Sequence, residues 1–151
     1  KLKFATATPY GISRAIRTVG NEADVILIDT PPKADSDVRW VLRDSDLVLV
    51  PVSASQADVW ATHDVLDLAD RAQKPTHIVM NRTRAGTRVG DDVAKSVAEL
   101  GAGRLDASLA NRVIYADALG RGLGVVEAKK SGPAADEVRA LAQEVAGILE
   151  L

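Results

Sequence analysis

Residues Ala23–Asp37 read ADVILIDTPPKADSD. Val25–Ile28 form a continuous apolar run between two carboxylates, Asp24 and Asp29. Unbroken β-branched and aliphatic residues, rather than alternating ones, mark a strand covered on both faces. The run predicts a strand over 24–29 that ends in an acid. A strand end gives Asp29 a rigid mount, where a carboxylate holds a metal ion's water shell or orients an attacking water. Pro31 and Pro32 fix their own φ and keep the residue before each of them extended, so the segment leaving the acid is stiff. The competing reading is an Asp-Thr-Pro turn that merely closes a strand.

Working outward, strands and helices alternate. Leu2–Ala7 is a candidate short strand, and PYGISRAIRTVGNE a helix with Pro9 near its start and Gly20 near its end. Asp37–Ser45 predicts a short helix. Asp46–Val52 (DLVLVPV) predicts a second buried strand, with Pro51 ending its regular pairing. Ala57–Gln73 predicts a helix with Val59, Trp60, Val65, Leu66 and Leu68 on roughly one side. Thr76–Asn81 (THIVMN) predicts a third strand. Val89, Val93, Val97 and Leu100 make an amphipathic stripe. A shorter helix is expected over 111–122, and a last one whose buried stripe is Val138, Leu141, Val145 and Ile148.

The chain has 151 residues, enough for one α/β domain over 1–151. Its net charge of −2 does not argue for nucleic-acid binding, though a local basic face remains open. With no cysteine, disulfide and thiolate chemistry are excluded. Two distant histidines do not suggest a metal centre, and no membrane-spanning run or signal peptide is found. The first residue is Lys rather than Met, which suggests a piece of a longer chain.

Buried strands separated by helices predict an α/β fold, a mostly parallel sheet with helices on both faces. Ligands of such sheets sit beyond the carboxyl ends of the strands. Asp29, the turn from Pro51 to Ser55, and Asn81 all fall at those ends, so three strand tips are expected to converge on one rim. Apolar residues followed by Asp form the Walker B pattern of phosphate-handling ATPases. Receiver domains also place an Asp at a strand end. They need acids after the first strand and a Lys after a later one, and neither is present.

Several segments together resemble the ParA/MinD family of deviant-Walker P-loop ATPases, most nearly a small partition ATPase. VILIDTPP resembles the Walker B and switch stretch. LVLVPVSASQADVWA resembles the strand-turn-helix that follows it, IVMNR the strand whose Asn reads adenine, and NRVIYADALGRGLGVVE the segment that closes over the base. The family's glycine-rich loop with two lysines is not found: GTRVGDDVAKS does not fit GxxxxGK[ST]. The expectation is therefore a P-loop NTPase-like domain without its first βα unit, ~30 residues or more. The chain would then be the carboxyl-terminal portion of a ParA-like domain, inactive alone. Loss of nucleotide binding in a noncatalytic interaction module is the alternative.

The resemblance implies ATP and Mg²⁺ as cofactors. Asp29 would hold Mg²⁺ through water and help position the attacking water. Thr30, Pro31 and Pro51 would belong to the switch. Asn81 would read the base through its amide, with Arg82 stacking on it. A homodimer closed by ATP would bind DNA nonspecifically, and a ParB-like partner would stimulate hydrolysis in the cytoplasm, on the nucleoid. Arg84, Arg88 and Arg112, with Arg104 and Arg121, are candidates for that DNA face; scattered surface arginines are the plain alternative. A MinD-like membrane positioner is disfavoured, because Glu137, Glu144 and Glu150 give the last helix an acidic polar face. Trp40 and Trp60 read as core or interface packing. Ser55, Gln56 and Asp58 read as helix caps, and His63 and His77 as chemically silent.

Overall fold

A computed structural model describes residues 3–30, 38–84, 86 and 88–151. Among the described residues three strands form one parallel sheet in the order β1-β2-β3: β1 Val48–Ser53, β2 Thr76–Thr83 and β3 Gly103–Ala110. Parallel neighbours need a crossover connection. Helix α3 (Gln56–Arg71) supplies the one from β1 to β2, and α4 (Arg88–Ala98) the one from β2 to β3. The α/β class and the parallel sheet expected from the sequence are therefore observed.

One core joins sheet and helices. Val50 and Val52 of β1, Ile78 and Met80 of β2, Val59 of α3, and Val93 and Val97 of α4 pack together. Alternate strand residues point to one face, and α3 and α4 cover that face. A second cluster seats α2 (Val38–Arg43) on α3 through Val38, Leu42 and Ala69. Beyond β3 come α5 (Val113–Gly120), α6 (Val125–Ala128) and α7 (Pro133–Ile148), with α7 lying along β3. Gly122, with φ of 68°, takes the left-handed turn that ends α5.

At the amino end, a 3₁₀ turn (Pro9–Gly11) leads into α1 (Ile12–Gly20). The Tyr10 ring lies 5.6 Å from Trp40, and the Arg43 guanidinium stacks 4.9 Å from the same indole. Arg43 also donates to Ser13 at 2.9 Å, and Ser13 to Asp44. Trp40 thus makes its ring contacts at a helix junction but stays 37% exposed, outside the core. Trp60 is not in the core either: it is 67% exposed on α3. It adjoins buried Val59, so the turn of the helix carries it away from the sheet.

Several expectations need correction. Asp24–Asp29 is not a strand, and neither is Leu2–Ala7 over its described residues. Val25 and Leu27 are 51% and 87% exposed, whereas Ile26 turns toward α1, its Cδ1 3.6 Å from where a Gly20 Cβ would lie. An apolar run states what can be buried; a strand also needs a neighbour for its N–H and C=O groups, and no described strand runs beside it. Pro51 does not end pairing. It sits opposite Val79 inside β1, which continues to Ser53. A proline is tolerated there because β1 is an edge strand of the described sheet. The final stripe of Val138, Leu141, Val145 and Ile148 is half-buried, and the fully buried residues of α7 are Ala134 and Ala135.

Candidate functional site

The parallel register brings two strand tips together: Ser53 of β1 faces Asn81 of β2. The chain leaves β1 through Ser55, the residue preceding α3, but no capping bond comes from its side chain. Asp58 acts instead. Its Oδ2 accepts the Ser53 N–H at 3.2 Å and holds the tip of β1 against the first turn of α3. Gln56 does not cap either; its amide reaches Ser96 of α4 at 3.3 Å.

Next to this pair β2 is deformed. Met80 pairs with Ser108 and Thr83 with Ala110, with a register irregularity between them. Within that step Arg82 has φ of 51°, a left-handed conformation that few residues other than glycine adopt. The Asn81 Oδ1 accepts the Arg82 N–H at 2.8 Å, satisfying the donor that the bulge removes from the ladder. Such strain costs of order 1–3 kcal/mol and persists where the surroundings fix it. The bulge turns the exposed Arg82 out of the sheet surface beside Asn81.

The third tip was not legible as an element. β3 ends at Ala110, Asn111 donates its N–H to the Thr83 carbonyl at 2.8 Å, and α5 starts after Arg112. Around this tip Glu137 of α7 gathers four donors. Its Oε2 accepts the Ala110 N–H at 3.1 Å and the Tyr115 hydroxyl at 2.8 Å. Its Oε1 accepts Arg112 Nε at 2.9 Å and Nη2 at 2.6 Å. Burial opposes ionisation of Glu137, but the bonds from Arg112, Tyr115 and Ala110 outweigh it and hold the carboxyl below its ordinary range. Burial, together with the bond to Glu137, pushes Tyr115 up to about 12. A cleft of about 250 Å³ opens beside Arg112, lined also by Ile114, Val125, Lys129 and Gly132.

The sequence candidates distribute as follows. Asn81 and Arg82 stand together at the β2 tip. Pro51 lies two residues before the Ser53 tip, inside β1. Asp29 and Thr30 are exposed in the unpaired segment, so the expected meeting of three tips is a meeting of β1 and β2 with β3, without Asp29 in the sheet. Pro31 lies outside the described residues, as does the side chain of Arg88. Arg84 is exposed just past β2, while Arg112 is committed to Glu137. Glu137 is the residue the sequence reading missed as part of the site; Asp58, read there as a helix cap, holds the Ser53 tip.

Beyond the bond to Arg82, the Asn81 amide keeps its Nδ2 donors and a second Oδ1 lone pair, so it can both donate and accept at the rim. Among the described residues no group of three metal-ligating side chains is found. No helix among the described residues is long and apolar enough to cross a membrane.

No protein-family profile matches the chain. It is 27% identical over 129 residues to the maintenance of carboxysome distribution protein A of Halothiobacillus neapolitanus. The match covers 81% of this chain and 60% of that protein, so the chain spans somewhat over half the length of the relative. This similarity supports a relationship to the ParA/MinD family of ATPases.

Proposed function

We propose that this chain belongs to a ParA-like ATPase that positions a large cargo, and that it supplies the base-reading rim of the nucleotide site. The pairing of Ser53 with Asn81, beside the bulge at Arg82, carries this reading. It places an amide where an open parallel sheet binds its ligands. Asn81 reads adenine, and Arg82 flanks it. Asp29, on the segment before the two prolines, would hold the water shell of Mg²⁺ and orient an attacking water. The metal would supply charge neutralisation on the phosphates, and positioning by the chain's own residues would account for most of the rate. Thr30, Pro31 and Pro51 belong to the segments that respond to the γ-phosphate.

Closure of two subunits on ATP would present Arg84 and Arg88 to DNA, without sequence preference and with strong salt dependence. A ParB-like partner would then stimulate hydrolysis and release the dimer. The cargo is a plasmid, a chromosome origin, or a protein-built body of the kind named for the relative.

The test is ATP turnover by the full-length protein, with and without DNA, in the wild type and in Asp29→Ala. Turnover stimulated by DNA, and reduced at least about tenfold in the variant, is expected for a residue that positions the nucleophile. Unchanged turnover in Asp29→Ala removes Asp29 from the mechanism. Absence of turnover and of nucleotide binding in the wild type makes the protein an interaction module.

A further inference from the structure

We infer that Glu137 is a positioning residue for the base-reading rim: its carboxylate ties the β3 tip, Arg112 and Tyr115 into one unit that fixes the bulge presenting Asn81 and Arg82. The inference rests on the nucleotide reading above for its functional consequence, and on geometry alone for the coupling.

The coupling runs through short, named links. Glu137 Oε2 holds the Ala110 N–H at 3.1 Å. Ala110 is the strand partner of Thr83. The next residue, Asn111, donates its N–H to the Thr83 carbonyl at 2.8 Å, while Thr83 Oγ1 donates to the Leu109 carbonyl at 3.4 Å. Thr83 directly follows Arg82, whose left-handed φ sets where Asn81 and Arg82 point. A strained conformation persists only where its neighbours over-determine it, and on the β3 side those neighbours are the residues Glu137 clamps.

The same carboxylate holds Arg112, the residue preceding α5, through both Nε and Nη2. This two-pronged pairing fixes the plane of the guanidinium. Tyr115, in the first turn of α5, closes the unit through its hydroxyl. The Glu137 side chain is only 18% exposed, so its charge cannot turn to water without dismantling these contacts.

An internal control lies two turns along α7. Glu144 accepts the Asp106 N–H at 2.8 Å and the Ala107 N–H at 2.9 Å, holding the middle of β3 in the same chemical manner. Its two N–H partners, Asp106 and Ala107, lie three residues or more before the Ala110 tip. A generic role in docking α7 would make the two glutamates equivalent; a positioning role separates them.

The experiment compares Glu137→Ala and Glu144→Ala in the full-length protein by ATP affinity and by amide hydrogen exchange without nucleotide. Glu137→Ala is expected to speed exchange at Arg82 and Asn111 and to weaken ATP binding at least about fivefold. Glu144→Ala is expected to speed exchange at Asp106 and Ala107 only and to leave ATP affinity within about twofold. Glu137→Gln, which keeps one acceptor for Ala110 but no charge for Arg112, is expected to fall between. Unchanged exchange at Arg82 and Asn111 in Glu137→Ala overturns the positioning role. Equal effects of the two alanine variants on ATP affinity also overturn it. If the exchange pattern holds but the wild type binds no ATP, the clamp stands and the nucleotide reading fails.

Discussion

Ser53 and Asn81 occupy the same level of two parallel strands, so the last residue of β1 lies beside the carboxyl end of β2, two residues before that strand stops. Each tip is then fixed from outside the ladder. Asp58 holds the Ser53 N–H, and the Asn81 side chain holds the Arg82 N–H. The rim is therefore built by side chains returning to the backbone, which is how a strand end keeps a defined shape once ladder hydrogen bonds run out.

The core beneath the rim is expected to tolerate little. Ile78 is fully buried between the two crossover helices. Ile78→Ala should lower stability by about 2–5 kcal/mol. Trp60, 67% exposed, should change it by less than about 0.5 kcal/mol when replaced by Ala. Denaturant titration of both variants checks the contrast. A large loss at Trp60 would mean that the indole is covered by something outside this chain.

Two glycines should respond in opposite directions. A Cβ at Gly103 would meet His77 Cδ2 at 2.8 Å and Nε2 at 3.0 Å. That ring has little room to yield, since its Nδ1 is already buried without a partner among the described residues. Gly103→Ala should cost about 1–3 kcal/mol through strain. At Gly147, inside α7, a Cβ meets nothing within 4 Å. Gly147→Ala should gain up to about 1 kcal/mol from helix propensity. Thermal melts of the two variants read both signs.

The Glu137 unit should give stability a characteristic pH dependence. The folded-state carboxyl lies below the ordinary value of 4.5 that it regains on unfolding. Its contribution is thus complete above about 4.5 and disappears as pH falls through the folded value. Tyr115 behaves in the opposite sense: raised from 10.0 to about 12, it contributes below 10.0, and that contribution is lost as pH climbs toward 12. Urea midpoints followed across acid pH should fall less steeply in Glu137→Gln than in the wild type. An identical acid limb would mean that Glu137 does not carry this linkage.

Binding to DNA should be weakened by replacing Arg84 and Arg88 together, with the slope of log affinity against log salt reduced by roughly two. Arg112 contributes less to such a face than its position in the sequence suggests, because Glu137 already neutralises it. Fluorescence titration of the full-length protein at several salt concentrations checks this. An unchanged slope in the double variant removes these arginines from the DNA face.

The pattern of apolar runs located β1 and β2 because both are buried where they pair. The same pattern at Val25–Ile28 marks an unpaired segment, because hydrophobicity encodes a demand for burial and not the presence of a neighbouring strand. β3 escaped notice for the converse reason. Arg104, Asp106 and Ser108 break its apolar character, and Leu105 is its one fully buried side chain. Glu137 and Glu144 looked like a solvated acidic face, yet they satisfy N–H groups of β3 more than two dozen residues earlier in the chain. Long-range pairing of this sort leaves no local signal. The left-handed Arg82 has no glycine to announce it; Asn81, whose side chain caps it, was singled out for its amide alone.

The most direct measurement is equilibrium binding of ATP and GTP to the full-length protein and to its Asn81→Ala variant. A matched amide–adenine pair is worth about 1–3 kcal/mol of discrimination. The wild type should therefore prefer ATP by roughly tenfold or more, and the variant should bind ATP more weakly and lose most of that preference. An Asn81→Ala protein that binds ATP as tightly and as selectively as the wild type would contradict the assignment of this rim to the base.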